Sequence, residues 1–136
     1  MPLATRHFAD TIVASPLGRI DHQSAAPFEA ALAPLLVQAG ASHGALVLDF
    51  SGVDYISSVG LRVLMIAAKQ MRENKAQLLV AALQPVVAEI FAISRFYRIL
   101  TVTDSLDDAL ALCSPAALAL YRGAGAGAGA GPEPTP

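Results

Sequence analysis

Apolar and polar positions along this chain switch repeatedly between two periods. Residues 45–50 read Ala45-Leu46-Val47-Leu48-Asp49-Phe50, a nearly unbroken apolar run, which predicts a strand buried on both faces. A polar loop containing Gly52 follows. From Ser58 to Glu73 the period changes: Leu61, Leu64, Met65, Ala68 and Met71 form one stripe, with Arg62, Lys69 and Glu73 on another face. That is the pattern of an amphipathic helix.

The same reading extends in both directions. Two short extended pieces, Thr5 to Phe8 and Ile12 to Ser15, are joined by Ala9-Asp10-Thr11. This turn lacks the Asn-Gly signal of a tight hairpin. Gly18 to His22 reads as a loop. Phe28, Ala31, Leu32, Leu35, Leu36 and Ala39 then recur at helical spacing, with Pro27 suited to the first turn. Pro34 lies inside this helix, where it removes a donor at a cost of about 3 kcal/mol if unrelieved, so a kink is expected. Gly40 is expected to end the helix. Ala76 to Ala82 predicts a second buried strand after the short turn Asn74-Lys75. Pro85 opens a helix carrying Val86, Val87, Ile90 and Ile93, and Ile99 to Val102 predicts a last strand. Ser105, followed three residues on by Asp108, fits a capping pattern for a final helix with Leu106, Ala109, Leu110 and Cys113.

The expected fold class is therefore α/β: a single domain over 1–114, with a mostly parallel β-sheet of four to five strands and four helices, the first strand antiparallel at an edge. From 115 to 136 the composition turns to Ala, Gly and Pro. Ala116 to Tyr121 could prolong the helix past Pro115, but the segment as a whole has little to bury and much entropy to lose, so a disordered low-complexity tail is expected.

Composition narrows the function. Hydrophobic residues make up 54% and charged residues 15%, enough for a full core. The longest uncharged stretch, Ala30 to Leu48, contains Pro34, Gln38, Gly40, Ser42, His43 and Gly44 and reads as helix, loop and strand, not as a membrane span. No leader pattern is visible at the N-terminus, so a cytoplasmic location is expected, without membrane insertion. With a net charge of -2 and nine scattered basic residues, nucleic acid is not an expected partner. A single cysteine, Cys113, excludes an internal disulfide and a cysteine metal cluster. It reads as a small core residue.

No catalytic set converges. Phosphate-loop, dinucleotide and nucleophile-elbow motifs are absent. His7, His22 and His43 lack metal-ligand spacing. Asp49 and Asp54 lie near a strand's carboxyl end, where parallel-sheet proteins place ligand sites, but the acidic pair and lysine of a receiver domain are missing. No enzyme, cofactor or metal is expected. Ser57 and Ser58 sit where loop becomes helix. Either they cap the helix or they present a regulatory hydroxyl, since a phosphate there would meet unpaired backbone N–H groups.

The string Leu48-Asp49-Phe50-Ser51-Gly52-Val53-Asp54-Tyr55-Ile56-Ser57-Ser58-Val59-Gly60-Leu61-Arg62-Val63-Leu64 resembles the signature of the STAS domain, the anti-sigma factor antagonist family. Gly18-Arg19-Ile20-Asp21, Ile90 to Phe96 and Leu100 to Leu110 resemble further family segments, in order and at family spacing, so the likeness spans residues 6–112. It implies a protein that binds an anti-sigma factor serine kinase, frees a sigma factor, and is released when the kinase phosphorylates a serine at the start of the second helix. A serine phosphatase resets it. Members typically read Asp-Ser-Ser-Gly-Leu there. Aligned on Gly60-Leu61, this chain has Val59 in the acceptor position, Ser57 in place of the acid, and Ser58 displaced by one. The implied phosphoacceptor is Ser58 or Ser57, or there is none. Asp21, Asp54, Ser57, Ser58, Val59 and Arg62 are the implied partner-binding residues. Arg95 stands where many members have glycine, at a cost of about 1 kcal/mol if that position is left-handed. The alternative is a constitutive STAS adaptor without a phosphoswitch, a subunit of a lipid-transport ATPase or stress-sensing complex. The oligomeric state is not implied.

Overall fold

The computed structural model describes residues 3–128. A five-stranded sheet has the order β1-β2-β4-β6-β7, formed by β1 (Ala4–Phe8), β2 (Thr11–Ser15), β4 (Ala45–Asp49), β6 (Gln77–Ala81) and β7 (Thr101–Thr103). β1 is antiparallel to β2, and the other pairings are parallel. The expected mostly parallel sheet with an antiparallel edge is thus present. Between β1 and β2 the chain turns through Ala9, which adopts φ 55.

Because strand side chains alternate, each central strand feeds two cores. Ile12, Ala14, Leu46, Leu48, Leu78 and Val80 face α1 (Ala25–Ala41), α2 (Ser58–Glu73) and α3 (Pro85–Ile93). Val13, Ala45, Val47, Leu79 and Ala81 face the opposite layer, with α4 (Leu106–Cys113) and α5 (Pro115–Ala128). Burial on both faces explains why 45–50 reads as a continuous apolar run. The start of the central strand β4 is fitted closely at Gly44, where a Cβ would collide with the Asp10 carbonyl oxygen.

Four expectations change. The stretches read as loops at 18–22 and 51–57 contain β3 (Gly18–Ile20) and β5 (Val53–Ile56), which pair in parallel as a separate two-stranded sheet. Helix α1 continues past Gly40 to Ala41 with Pro34 inside it. Gly40 is buried because the helix lies close to the Asn74 side chain, 3.2 Å from where its Cβ would stand. Met65 is 45% exposed and leaves the buried stripe of α2. Finally, the described residues form five α-helices, not four. The segment from 115, expected as a tail, enters as α5 because Ala117 is buried and Tyr121 meets Phe8 edge-on at 5.6 Å. Ser114 Oγ accepts from the Ala117 N–H at 3.1 Å and starts this helix across Pro115. The rest of the expected tail, 129–136, lies outside the described residues.

The capping pattern at α4 is present, with the Asp108 N–H donating to Ser105 Oγ at 3.1 Å. Arg95 adopts φ 59 and ψ 30, the left-handed conformation in which glycine is favoured.

Candidate functional site

The small β3–β5 sheet ties the 18–24 segment to the start of α2. Gly18 pairs with Val53, Arg19 with Tyr55 and Ile20 with Ile56. The Ser57 N–H then donates to the Ile20 carbonyl at 2.8 Å. Gly60 permits this approach: a Cβ there would lie 2.8 Å from Ile20 Cγ2 and from Ile56 Cγ1. The N-terminus of α2 is therefore held on β3 and β5 by direct packing. The junction joins the elements that carry the implied site residues: Asp21 follows β3, Asp54 lies on β5, and Ser57 to Arg62 begin α2.

The two serines divide their roles. Ser57 is the N-cap, with extended backbone, and its Oγ accepts from the Gly60 N–H at 3.2 Å. Ser58 is the first residue of the helix, is exposed, and its hydroxyl makes no hydrogen bond among the described residues. Val59 is 45% exposed. Arg62 is exposed one turn further along. Asp54, on β5, is exposed and has no ion-pair partner among the described residues.

Asp21 is bound up in its own turn. Its Oδ1 accepts from the backbone N–H groups of Gln23 at 3.0 Å and Ser24 at 3.1 Å, while the Ser24 hydroxyl lies 3.2 Å away. Its Oδ2 lies 3.6 Å from Arg19 Nε. The Ser24 backbone N–H is the chief cause that holds this carboxyl below its ordinary range, aided by Gln23, the Ser24 hydroxyl and Arg19, against a smaller opposing effect of desolvation. Asp49 is likewise used locally, accepting from the Ser51 N–H at 3.0 Å.

Two features go beyond the partner surface expected from the sequence, which ran across 18–24, 52–59 and the outer face of the second helix with Arg62. Arg19 stacks over the Tyr55 ring at 4.3 Å, a cation–π contact on the outer face of the small sheet. The outer face of α2 carries a groove lined by Ser58, Arg62, Met65, Ile66, Lys69 and Arg72, among others. The signal for the second was present: Val63-Leu64-Met65-Ile66 is four apolar residues in a row, and a helix cannot turn all four inward. No comparable signal marks the Arg19–Tyr55 stack, because it depends on strand pairing between segments far apart in the chain. No group of three His, Cys, Asp or Glu side chains among the described residues could hold a metal ion, and no helix there is long and apolar enough to cross a membrane.

The sequence and fold both match known proteins. The family model of the STAS domain matches residues 3–109. BtrV, a candidate anti-sigma factor antagonist of Bordetella bronchiseptica, is 38% identical over 100 residues, which span 74% of this chain and 84% of BtrV. A candidate anti-sigma factor antagonist of Thermotoga maritima superposes with a TM-score of 0.75 at 16% identity, over 82% of this chain and 93% of that one. The Bacillus protein SpoIIAA in its phosphorylated form superposes with a TM-score of 0.60 at 13% identity, over 80% and 96%. At such identities the structural matches speak for the fold alone, and the family rests on the sequence: the chain belongs to the STAS domain family, among the anti-sigma factor antagonists.

Proposed function

We propose that this protein is a partner switch: it binds an anti-sigma factor that is also a serine kinase, frees the sigma factor, and is released when Ser58 is phosphorylated. It works by binding in the cytoplasm, not by catalysis, and a serine phosphatase restores it. Asp54, Ser57, Ser58, Val59 and Arg62 form the partner surface, with Asp21 shaping the adjoining turn.

The observation that carries the assignment is the division between the two serines. A kinase needs a hydroxyl that is accessible and not already engaged. Ser57 Oγ is engaged on the Gly60 N–H, whereas Ser58 is exposed and unengaged among the described residues. A phosphate on Ser58 brings a charge of about -1.5 to -2 to the first turn of α2. The helix end tolerates it, since negative charge near an N-terminus is favourable. The partner surface meets new bulk and charge. The switch thus acts at the interface while the fold stays intact. The similarity to BtrV supports the anti-sigma partner.

The test is phosphotransfer from the anti-sigma kinase, together with binding. Wild-type protein is labelled and Ser58→Ala is not. Ser58→Asp binds the kinase at least about tenfold more weakly, the loss of roughly 1.4 kcal/mol. Labelling of Ser58→Ala at the wild-type rate would reject the Ser58 assignment, and full-strength binding by Ser58→Asp would reject the switch.

One observation favours the second reading, a constitutive adaptor. Val59, in the family's acceptor position, is an exposed apolar residue and suits a permanent contact. Under that reading the protein co-purifies with a stable assembly and carries no phosphate.

A further inference from the structure

The groove on the outer face of α2 has a volume of about 600 Å3, with Ser58 among its lining residues. Met65 and Ile66 supply exposed apolar surface, at 45% and 46% exposure. Arg62, Lys69 and Arg72 supply three cations, and no carboxylate lines the groove. The ion pairs among the described residues, Arg19–Asp21 and Arg122–Asp107, use none of these cations. In a chain of net charge -2, this is a local concentration of unpaired positive charge over an apolar floor. Its complement is an acidic segment with an apolar ridge.

Ser58 and Arg62 are four apart on one helix and line the same groove. Side chains at that spacing are neighbours, with Cβ atoms about 5–6 Å apart. A guanidinium matches the geometry of phosphate oxygens and can bind two at once. We propose that Arg62 is the internal receiver of a phosphate on Ser58, and that this pairing withdraws from the groove a cation that otherwise holds an acidic segment of the partner.

The group transfer is the kinase's own. Ser58 Oγ bonds to the γ-phosphorus of ATP, ADP leaves with the bridging oxygen, and the hydroxyl proton passes to the kinase's base. The phosphate's charge of about -1.5 to -2 then offsets half or more of the three positive charges lining the groove. Displacement of the serine by one residue from the family position leaves a switch intact, because the displaced hydroxyl shares the groove with Arg62.

The inference rests on Ser58 being the modified hydroxyl, and the experiment separates the two claims. Phosphoserine is installed at position 58 of the full chain during translation, so no kinase is needed, and the phosphate is titrated by 31P NMR. Its second pKa, ordinarily about 6, lies at least about 0.15 unit lower with Arg62 than in Arg62→Gln, the least shift that one helical ion pair of this spacing supports. Arg62→Lys retains most of the shift, and 1 M salt abolishes the difference. Equal titration of wild type and Arg62→Gln overturns the proposal. So does an equal effect from Lys69→Gln, which would mark a diffuse field in place of a pair. Absence of phosphate on Ser58 in protein from its own host would instead overturn the switch, whatever the titration shows.

Discussion

Ser57 and Ser58 are adjacent and chemically identical, yet α2 gives them different work. The cap position requires extended backbone and a side chain turned back on the helix, and Ser57 meets both conditions. Ser57→Ala is therefore expected to lower stability by about 1 kcal/mol, while Ser58→Ala stays within about 0.5 kcal/mol of wild type. Urea melts of the two variants check this, and the reverse order would exchange the two roles. From sequence, a helix boundary shifts easily by a residue, so the pair was legible as a helix start but the capping member was not. Arg95 was legible only through the family resemblance, which sets glycine at its position, a preference that a left-handed backbone explains. With φ 59 observed, Arg95→Gly is expected to raise stability by about 1 kcal/mol, again in urea. Asp21 has a pH signature. Its carboxyl is held low in the fold, so its contribution is whole above the unfolded value of about 3.9 and is lost as pH falls through the lower folded value. The stability difference between wild type and Asp21→Asn should be largest near pH 7 and shrink toward pH 3.

At the scale of elements, legibility followed apolar content. β4 and β6 are buried on both faces and announced themselves as runs. β3 and β5 are only Gly18–Ile20 and Val53–Ile56. Val-Asp-Tyr-Ile buries its first and last residues, which is not a strand's alternation, and such short parallel strands exist only because each pairs with the other. The strand pairing beneath the candidate site was thus the part least visible in the sequence, although the signature at 48–64 marked the place. Helix α5 was half visible for a different reason. Ala116 to Tyr121 read as a possible helix past Pro115, but the Gly/Ala alternation beyond argues against one, and the packing of Ala117 and Tyr121 decided for it. Arg6 lies 5.6 Å from the rings of both Phe8 and Tyr121, so β1 and α5 are joined by an aromatic pair with a cation over it. Tyr121→Ala is expected to cost about 1–2 kcal/mol, and a chain ending at Ser114 to cost more, since it also removes buried Ala117 and uncovers Phe8. Thermal melts of the two would show this. An unchanged midpoint on truncation would place the fold's end at 114 after all.

At the scale of the whole molecule, the two sheets separate two tasks. The five-stranded sheet, covered by helices on both faces, carries the stability. The β3–β5 pair fixes the start of α2 against it through Gly60 and the Ser57–Ile20 hydrogen bond. A charge added at Ser58 therefore enters an exposed corner tied to the small sheet, where, in the proposed switch, a bound partner meets it. The charge balance was legible only in part: helical spacing put Arg62 and Lys69 on one face of α2 with Glu73, but a net charge of -2 with scattered basic residues conceals that Arg72 joins the two cations in one groove. The central claim, that Ser58 is the switch, is tested most directly by mass spectrometry of residues 55–64 in protein purified from its own host. Phosphate on Ser58, rising and falling with growth conditions, is the expected result. Residues 55–64 without phosphate in every condition, in protein still holding a stable partner, would contradict it and leave the constitutive adaptor.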